Sequence, residues 1–296
     1  METATESLLL QLRMLSDATR LRLVALCRGG ECSVSELTGV LRQSQPRISQ
    51  HLKKLCDAGL LARFRDGKNV YYRVPARNDA TVRQLLHLIP DQDPLLAEDR
   101  LQLQQLRGEG LDRVKPVPPA PAGADRAIHR ALIELTVTSS LGDLLDVGCG
   151  RGSILKLLAS RAHRAVGVDI DADVRQLARA ELMLAGIPNC SLRQGDMYRL
   201  PFEDAEFDTI VLDDVLAQAD RPVAVLLEAK RLLKTGGRLL LLLAVKAGSA
   251  AILQQSVAEW SAAAGLRLAP ARPAPKKNPA WLLAVATTAD NGSVAA

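Results

Sequence analysis

Apolar residues recur along this chain with two different periods, and the change of period divides it. In the first part they follow helical spacing: Leu15, Leu21, Leu23, Val24 and Leu26 form one stripe, Ser16 and Asp17 are its candidate caps, and Gly29-Gly30 ends it. A short helix is expected over 33–41 and a third from 44 to 58, where Ile48, Leu52 and Leu55 face inward and Gly59 closes the run. Residues 60–74, LLARFRDGKNVYYRV, then alternate as two short strands around Asp66-Gly67-Lys68-Asn69, a hairpin signal. The order is helix-turn-helix followed by a wing. Two more helical patterns fill 78–110, the second opened by Asp93 as cap with Pro94 in its first turn. Its stripe of Leu96, Leu103 and Leu106 either packs on its own domain or joins the first helix in a dimer interface.

From about residue 124 the pattern becomes one helix and then strands (143–147, 165–169, 190–194, 207–212, 237–245, 281–286) interleaved with helices (153–161, 172–185, 222–233, 250–264). Repeated strand-helix units predict a parallel sheet covered by helices on both faces. Between the halves runs KPVPPAPAG, with prolines at 116, 118, 119 and 121, which reads as a stiff, extended linker. The expected fold class is therefore an α+β winged helix-turn-helix domain (1–76), a helical connector with its linker (77–123), and an α/β Rossmann-like domain (124–290). No internal repeat is visible.

Composition narrows the classes. With 296 residues, 48% hydrophobic and 24% charged, two ordinary cores are attainable. METATESLLLQLRML lacks the cationic start, apolar run and cleavage site of a secretory leader, and the longest apolar run, Leu239 to Val245, falls short of the ~20 residues that span a bilayer. A cytoplasmic protein without membrane partners is the expectation. Cys27, Cys32, Cys56, Cys149 and Cys190 show no ligand-like spacing, so no metal is assigned. Charge is concentrated: Arg42 to Arg73 holds eight basic residues against two acidic ones, enough to supply the whole net charge of +5. Such clustering suits phosphate contact.

On the third helix, Ser44, Gln45, Arg47, Ser49, Gln50 and Lys53 form a donor-rich face. Arg and Gln suit base edges in a major groove, while Ser and Lys suit phosphates. His51 either shares that face or packs locally, and Arg65 and Lys68 on the wing would reach the adjoining backbone or minor groove. LSDATRLRLVALC, SQPRISQHLKKLCDAGLL and RDGKNVYYRV together resemble the ArsR/SmtB family of winged-helix repressors over about residues 8–76. The resemblance implies a homodimer on double-stranded, palindromic operator DNA, with recognition helices ~34 Å apart. Metal-sensing members often carry a cysteine pair where this chain has Glu31-Cys32-Ser33-Val34-Ser35, with Cys32 alone; Asp79 and His87 are the candidates for the family's other metal position.

The second constellation is LLDVGCGRG, in which a strand delivers Asp146 and Gly148, Gly150 and Gly152 turn the chain into a helix. Glycines let a ligand approach the backbone, and the helix start offers unpaired N–H groups. Asp169 ends VGVDI, 21 residues past Gly148 and beside Ile170, where a carboxylate can take both hydroxyls of a ribose. Asp196, followed by Met197, comes after the third strand and suits an adenine amino group. A dinucleotide fold uses similar physics and is the competitor. LLDVGCGRG, VGVDI, GDMYRLPFEDAEFDTIVLDDVL, RLLKTGGRLLLL and WLLAVAT, taken in order over about 126–290, resemble the class I methyltransferases dependent on S-adenosylmethionine (SAM). That resemblance implies that Asp146 and the glycine loop hold the methionine end, Asp169 the ribose, and Asp196 with Met197 the adenine.

Small-molecule members often place a histidine where this chain reads Asp213-Asp214-Val215-Leu216, so catalytic residues stay unassigned; the two aspartates either orient an acceptor or cap the next helix. Eight aromatic residues in all leave little for a stacking platform against flipped bases. The combination resembles ArsR-type regulators that respond to S-adenosylhomocysteine (SAH). It implies a repressor sensing SAM or SAH and controlling genes of the methionine and SAM cycle. An active methyltransferase with an autoregulatory DNA-binding half, and a metal- or thiol-responsive repressor, are the alternatives.

Overall fold

A computed structural model describes residues 4–75, 80–111, 124–137, 140–246, 248–275 and 279–288. The proline linker and Asp79 lie outside them. The chain forms two compact units, one of residues 1–115 with 176–191, the other of 116–175 with 192–296.

The first unit begins with α1 (Ala4–Leu15) and α2 (Ala18–Arg28). Asp17 caps α2, its Oδ1 accepting from Arg20 N at 2.9 Å. A two-residue strand β1 (Cys32–Ser33) leads into α3 (Val34–Leu41), whose start is a capping box: Ser33 Oγ accepts from Glu36 N, and Glu36 accepts in turn from Ser33 N. After α4 (Gln45–Asp57) come β2 (Ala62–Asp66) and β3 (Asn69–Arg73), paired antiparallel from Ala62 opposite Arg73 to Asp66 opposite Asn69. Gly67, at φ 59°, makes the tight turn between them. β1 joins β3 as a third strand with Cys32 opposite Tyr72, an addition too short to leave a periodic signature in sequence.

Then follow α5 (Ala80–His87) and α6 (Pro94–Leu111), the latter capped by Asp93 Oδ1 accepting from Leu96 N at 3.0 Å. Leu23, Ile48, Leu52 and Leu55 are fully buried in one core. The α6 stripe divides: Leu96 and Leu103 join that core, while Leu106 stays exposed. A paired Arg22–Asp99 contact at 2.7 and 2.6 Å ties α2 to α6.

The other unit is a sheet between helices. Its elements are α7 (Ala124–Thr136), β4 (Asp143–Val147), α8 (Ser153–Leu158), β5 (Arg164–Asp169), α9 (Ala172–Leu184), β6 (Cys190–Gln194), β7 (Phe207–Asp213), α10 (Val215–Gln218), α11 (Pro222–Leu232), β8 (Leu233–Ala244), α12 (Ala250–Ala263), β9 (Leu266–Leu268), β10 (Arg272–Ala274) and β11 (Trp281–Thr288). Residues of α9 from Gln176 onward belong to the first unit.

Strand order is β10-β11-β8-β7-β4-β5-β6, with β9 on β11. β4 pairs parallel with β5 and β7, and β7 with β8. One part departs from the all-parallel expectation: β11 runs antiparallel to β8, β9 and β10. After α12 the chain doubles back through two three-residue strands instead of one helical crossover, and so enters β11 in the reverse sense. Leu239 to Leu243 of β8 are buried between β7 and β11. The winding order reverses at β4, the place where open α/β sheets hold a crevice beyond their strand ends.

Candidate functional sites

The crevice beyond β4 is built from glycine geometry. Gly148, Gly150 and Gly152 all have positive φ (70°, 51° and 76°). Gly148 N and Cys149 N both donate to Val168 O, at 2.8 and 2.9 Å, pinning the loop to β5. A Cβ on Gly148 would stand 2.7 Å from Val215 Cγ2, so packing as well as φ requires glycine there. A Cβ on Gly150 would meet nothing within 4 Å, because that face is open. Cys149 is buried against Gly167, a packing role.

Carboxylates stand at or just past the ends of four strands, β4 to β7. Asp169 is half-buried; its Oδ2 accepts from Gly150 N at 3.0 Å and its Oδ1 from Asp171 N at 2.9 Å, leaving lone pairs on both oxygens. Ile170 beside it is 68% exposed. Asp196 is exposed and accepts from Tyr198 N at 3.0 Å, with Met197 packed on the core next to it. Asp213 ends β7. Asp214, at φ 55°, accepts from Ala244 N at 3.0 Å and thereby braces the end of β8.

Asp146 is the outlier: it is 0% exposed and neither carboxylate oxygen has a hydrogen-bond partner. Burial first, then the charges of Asp213 and Asp169, push its pKa well above the carboxylate range. A cationic amino group is the natural complement of such an orphaned acid. The residues present therefore fit a ligand with an ammonium at one end and vicinal hydroxyls further along. Sequence reasoning missed Val215 and Gly195; a Cβ on Gly195 would stand 2.6 Å from Val168 Cγ1, so that glycine lets the Asp196 loop close on β5.

The second site is the outer face of α4. Ser44, Gln45, Arg47, Gln50 and Lys53 are exposed, Ser49 is half-buried, and Ile48, Leu52 and Leu55 anchor the opposite face. Pro46 in the first turn presets the helical backbone without costing a hydrogen bond. Arg65 and Lys68 stand exposed on the hairpin, which is stiffened by Phe64 stacked on Tyr71 at 5.7 Å. His51 differs from its neighbours: it is half-buried with Nδ1 3.8 Å from Asp17 Oδ1, turned to the start of α2. Burial lowers its pKa against the pull of Asp17, and Arg20, Arg47 and Lys54 add to the lowering.

Among the described residues, no group of three or more His, Cys, Asp or Glu side chains is placed to hold a metal ion, and no helix is long and apolar enough to cross a membrane. Cys32 is buried beside Arg107 Nη2 at 3.9 Å, and His87 is exposed.

Comparison with known proteins finds matches to two families at separate stretches of the chain. Residues 17–63 match the bacterial regulatory proteins of the arsR family, and residues 145–241 match a methyltransferase domain. Arsenic resistance transcriptional regulator ArsR1 of Pseudomonas putida is 40% identical over 96 residues, covering 32% of this chain and 75% of the regulator. Its ArsR2 is 37% identical over 98 residues, 32% of this chain and 85% of that protein. An uncharacterized methyltransferase of Schizosaccharomyces pombe is 36% identical over 102 residues, 32% of this chain and 37% of its own length. The chain thus spans about a third of the length of the first curated relatives it matches.

Proposed function

From a chain that belongs to the arsR family of bacterial regulatory proteins and also carries a methyltransferase domain, we infer a transcriptional repressor whose operator affinity reports SAM or SAH. The observation that carries this reading is Asp146, fully buried with both oxygens unpartnered, on the strand paired with that of Asp169 and within reach of its charge. A buried carboxylate left without a partner costs stability, and the ammonium of a bound amino-acid moiety offsets that cost. In this reading Asp146 and the loop of Gly148, Gly150 and Gly152 take the methionine end. Asp169 and Ile170 take the ribose, and Asp196 with Met197 the adenine.

The DNA half acts as a homodimer on a palindromic operator. Arg47, Gln45 and Gln50 read base edges; Ser44, Ser49, Lys53, Arg65 and Lys68 hold phosphates; and His51 supports the helix from behind. The domain limits 1–76, 77–123 and 124–290 belong to this proposal, as do control of methionine and SAM-cycle genes and a cytoplasmic location. A ligand changes operator occupancy only by binding the DNA-competent and incompetent states with different affinity, and the effect is reciprocal. SAM, when bound, supplies a reactive methyl group.

Titration of the purified chain with SAM and with SAH by calorimetry, alone and with its own promoter fragment, tests the proposal. A DNA-dependent shift in either affinity is expected; tight binding without a shift overturns it. Methyl transfer is the second reading, favoured by Asp213 at the end of β7, electrostatically coupled to Asp146. It predicts a product labelled from radioactive SAM.

A further inference from the structure

Helix α9 has two ends with different duties. At its start, Asp171 N donates to Asp169 Oδ1, Asp171 Oδ1 accepts from Asp173 N at 2.8 Å, and Arg175 Nη1 donates to Asp169 O at 2.9 Å. The candidate ribose carboxylate thus accepts from the residue just before the helix, and Arg175 in the first turn holds the carbonyl of the same aspartate. From Gln176 onward the same helix is part of the winged-helix unit.

There Arg179, 8% exposed, uses all three nitrogens: Nε donates to Glu31 Oε2 at 3.1 Å, Nη2 to Asp66 Oδ2 at 2.6 Å and Nη1 to Tyr71 Oη at 3.4 Å. Its guanidinium also lies 4.0 Å from the centre of the Tyr71 ring. Burial works against the charge, but Glu31, Tyr71 and Asp66 outweigh it and hold the pKa above its ordinary value.

One turn on, Met183 Sδ accepts from Arg107 Nη1 at 2.9 Å. Arg107 itself donates through Nε to Glu36 Oε1 at 2.6 Å and through Nη2 to Glu31 O. Glu31 thus joins the two guanidinium groups, its carboxylate on Arg179 and its carbonyl on Arg107. All of these partners lie in the unit that carries α4 and the wing. Asp66 closes β2 between Arg65 and Lys68 of the wing, and Glu36 is the second half of the α3 capping box, one helix before α4.

A buried charged cluster of this kind is weak as a stabiliser, because desolvation consumes most of its Coulombic gain. It is strong as a geometric constraint, since the planar fork of arginine holds its partners in one arrangement and releases them over about an ångström. We propose that Arg179 is the positioning residue through which occupancy of the Asp169 site is coupled to the wing and the recognition helix. The coupling runs along α9, whose first turn holds the Asp169 backbone through Arg175 and whose middle holds Glu31 and Asp66 through Arg179. The inference rests on the sensor reading above. A helix is stiff over the seven residues from Ala172 to Arg179, about 10 Å, so a shift at its start is delivered to the guanidinium with little attenuation.

The test compares the full-length wild type with Arg179→Gln, Arg179→Lys and Asp66→Asn. For each, SAH affinity is measured without DNA, and the operator Kd on the chain's own promoter fragment with and without saturating SAH. In the wild type SAH is expected to change the operator Kd by a factor of about 5–150. Arg179→Gln is expected to keep SAH affinity within about twofold while that factor falls towards one, a separation that loss of structure alone does not produce. Arg179→Lys, which keeps the charge but not the fork, restores part of it. Asp66→Asn removes the wing-side partner with little change of shape, and serves if the glutamine variant does not fold. Full wild-type coupling in the Asp66 and Arg179 variants overturns the proposal, and so does parallel loss of SAH and operator affinity in all of them. A wild type that binds SAH and operator without any coupling overturns the sensor reading itself, and this inference with it.

Discussion

Asp146 carries a sign that can be read against pH. Its folded-state pKa lies above the ordinary 3.8, so the stability tied to its protonated form is fully present below that value and is lost as pH rises towards the folded pKa. The free protein is strained by this residue at neutral pH, and a ligand ammonium relieves the strain. Asp146→Asn is therefore expected to raise the melting temperature of the ligand-free protein at pH 8, reflecting removal of a cost of about 1–3 kcal/mol, and to raise it less at pH 4. The same substitution should weaken SAH binding by about tenfold or more, because the charge-assisted hydrogen bond to the ammonium is no longer made. Thermal melts at the two pH values with a calorimetric titration check both halves. A variant that melts lower at pH 8 and binds SAH normally would sink the assignment. The sequence announced an aspartate at a strand end. That both its oxygens are unpartnered follows only from how β4, β5 and β7 surround it.

At the scale of elements, α4 and the wing separate two kinds of DNA recognition. Lys53→Ala tests the electrostatic side, because removing one cation from a phosphate lowers the salt dependence of binding by about one unit of slope. Lys53→Ala should weaken operator and unrelated DNA alike. Gln50→Ala should cost about 1–3 kcal/mol on the operator and almost nothing on unrelated DNA. Fluorescence anisotropy across a salt series distinguishes these outcomes, and equal weakening on both DNAs for Gln50→Ala would remove it from base reading. The basic face was legible from the spacing of Ile48, Leu52 and Leu55, which leaves Gln45, Arg47, Gln50 and Lys53 exposed. His51 shows where that logic ends, since helical phase alone does not reveal that it lies 3.8 Å from Asp17, the cap of α2.

For the whole molecule, α1 leaves Leu9 and Leu12 47% and 44% exposed, and the proposed homodimer is expected to bury them. Leu96 and Leu103 are packed into the core of their own unit, so the α6 stripe does not supply that surface through them. Replacing Leu9 and Leu12 together by Glu is expected to shift sedimentation from dimer to monomer. It should also cut operator affinity far more than SAH affinity, because a two-fold operator needs both recognition helices at once. A wild type that sediments as a monomer at micromolar concentration, yet binds its operator tightly, would count against the dimer.

What the sequence determined by itself is local and periodic. The helix-turn-helix stripe, the hairpin around Gly67, the glycine loop and the aspartates at the strand ends depend on neighbours within about one element, and such dependence is written in spacing. Tertiary structure decided the rest. β11 runs antiparallel because of two three-residue strands that carry no period of their own. Glu31, Asp66 and Arg179 meet across more than a hundred residues of chain, and no local pattern marks an arginine on an ordinary amphipathic helix as the partner of two distant carboxylates. The physical reason is common to both cases. Spacing reports which face of an element is apolar, whereas the identity of what covers that face is set by packing between elements remote in sequence.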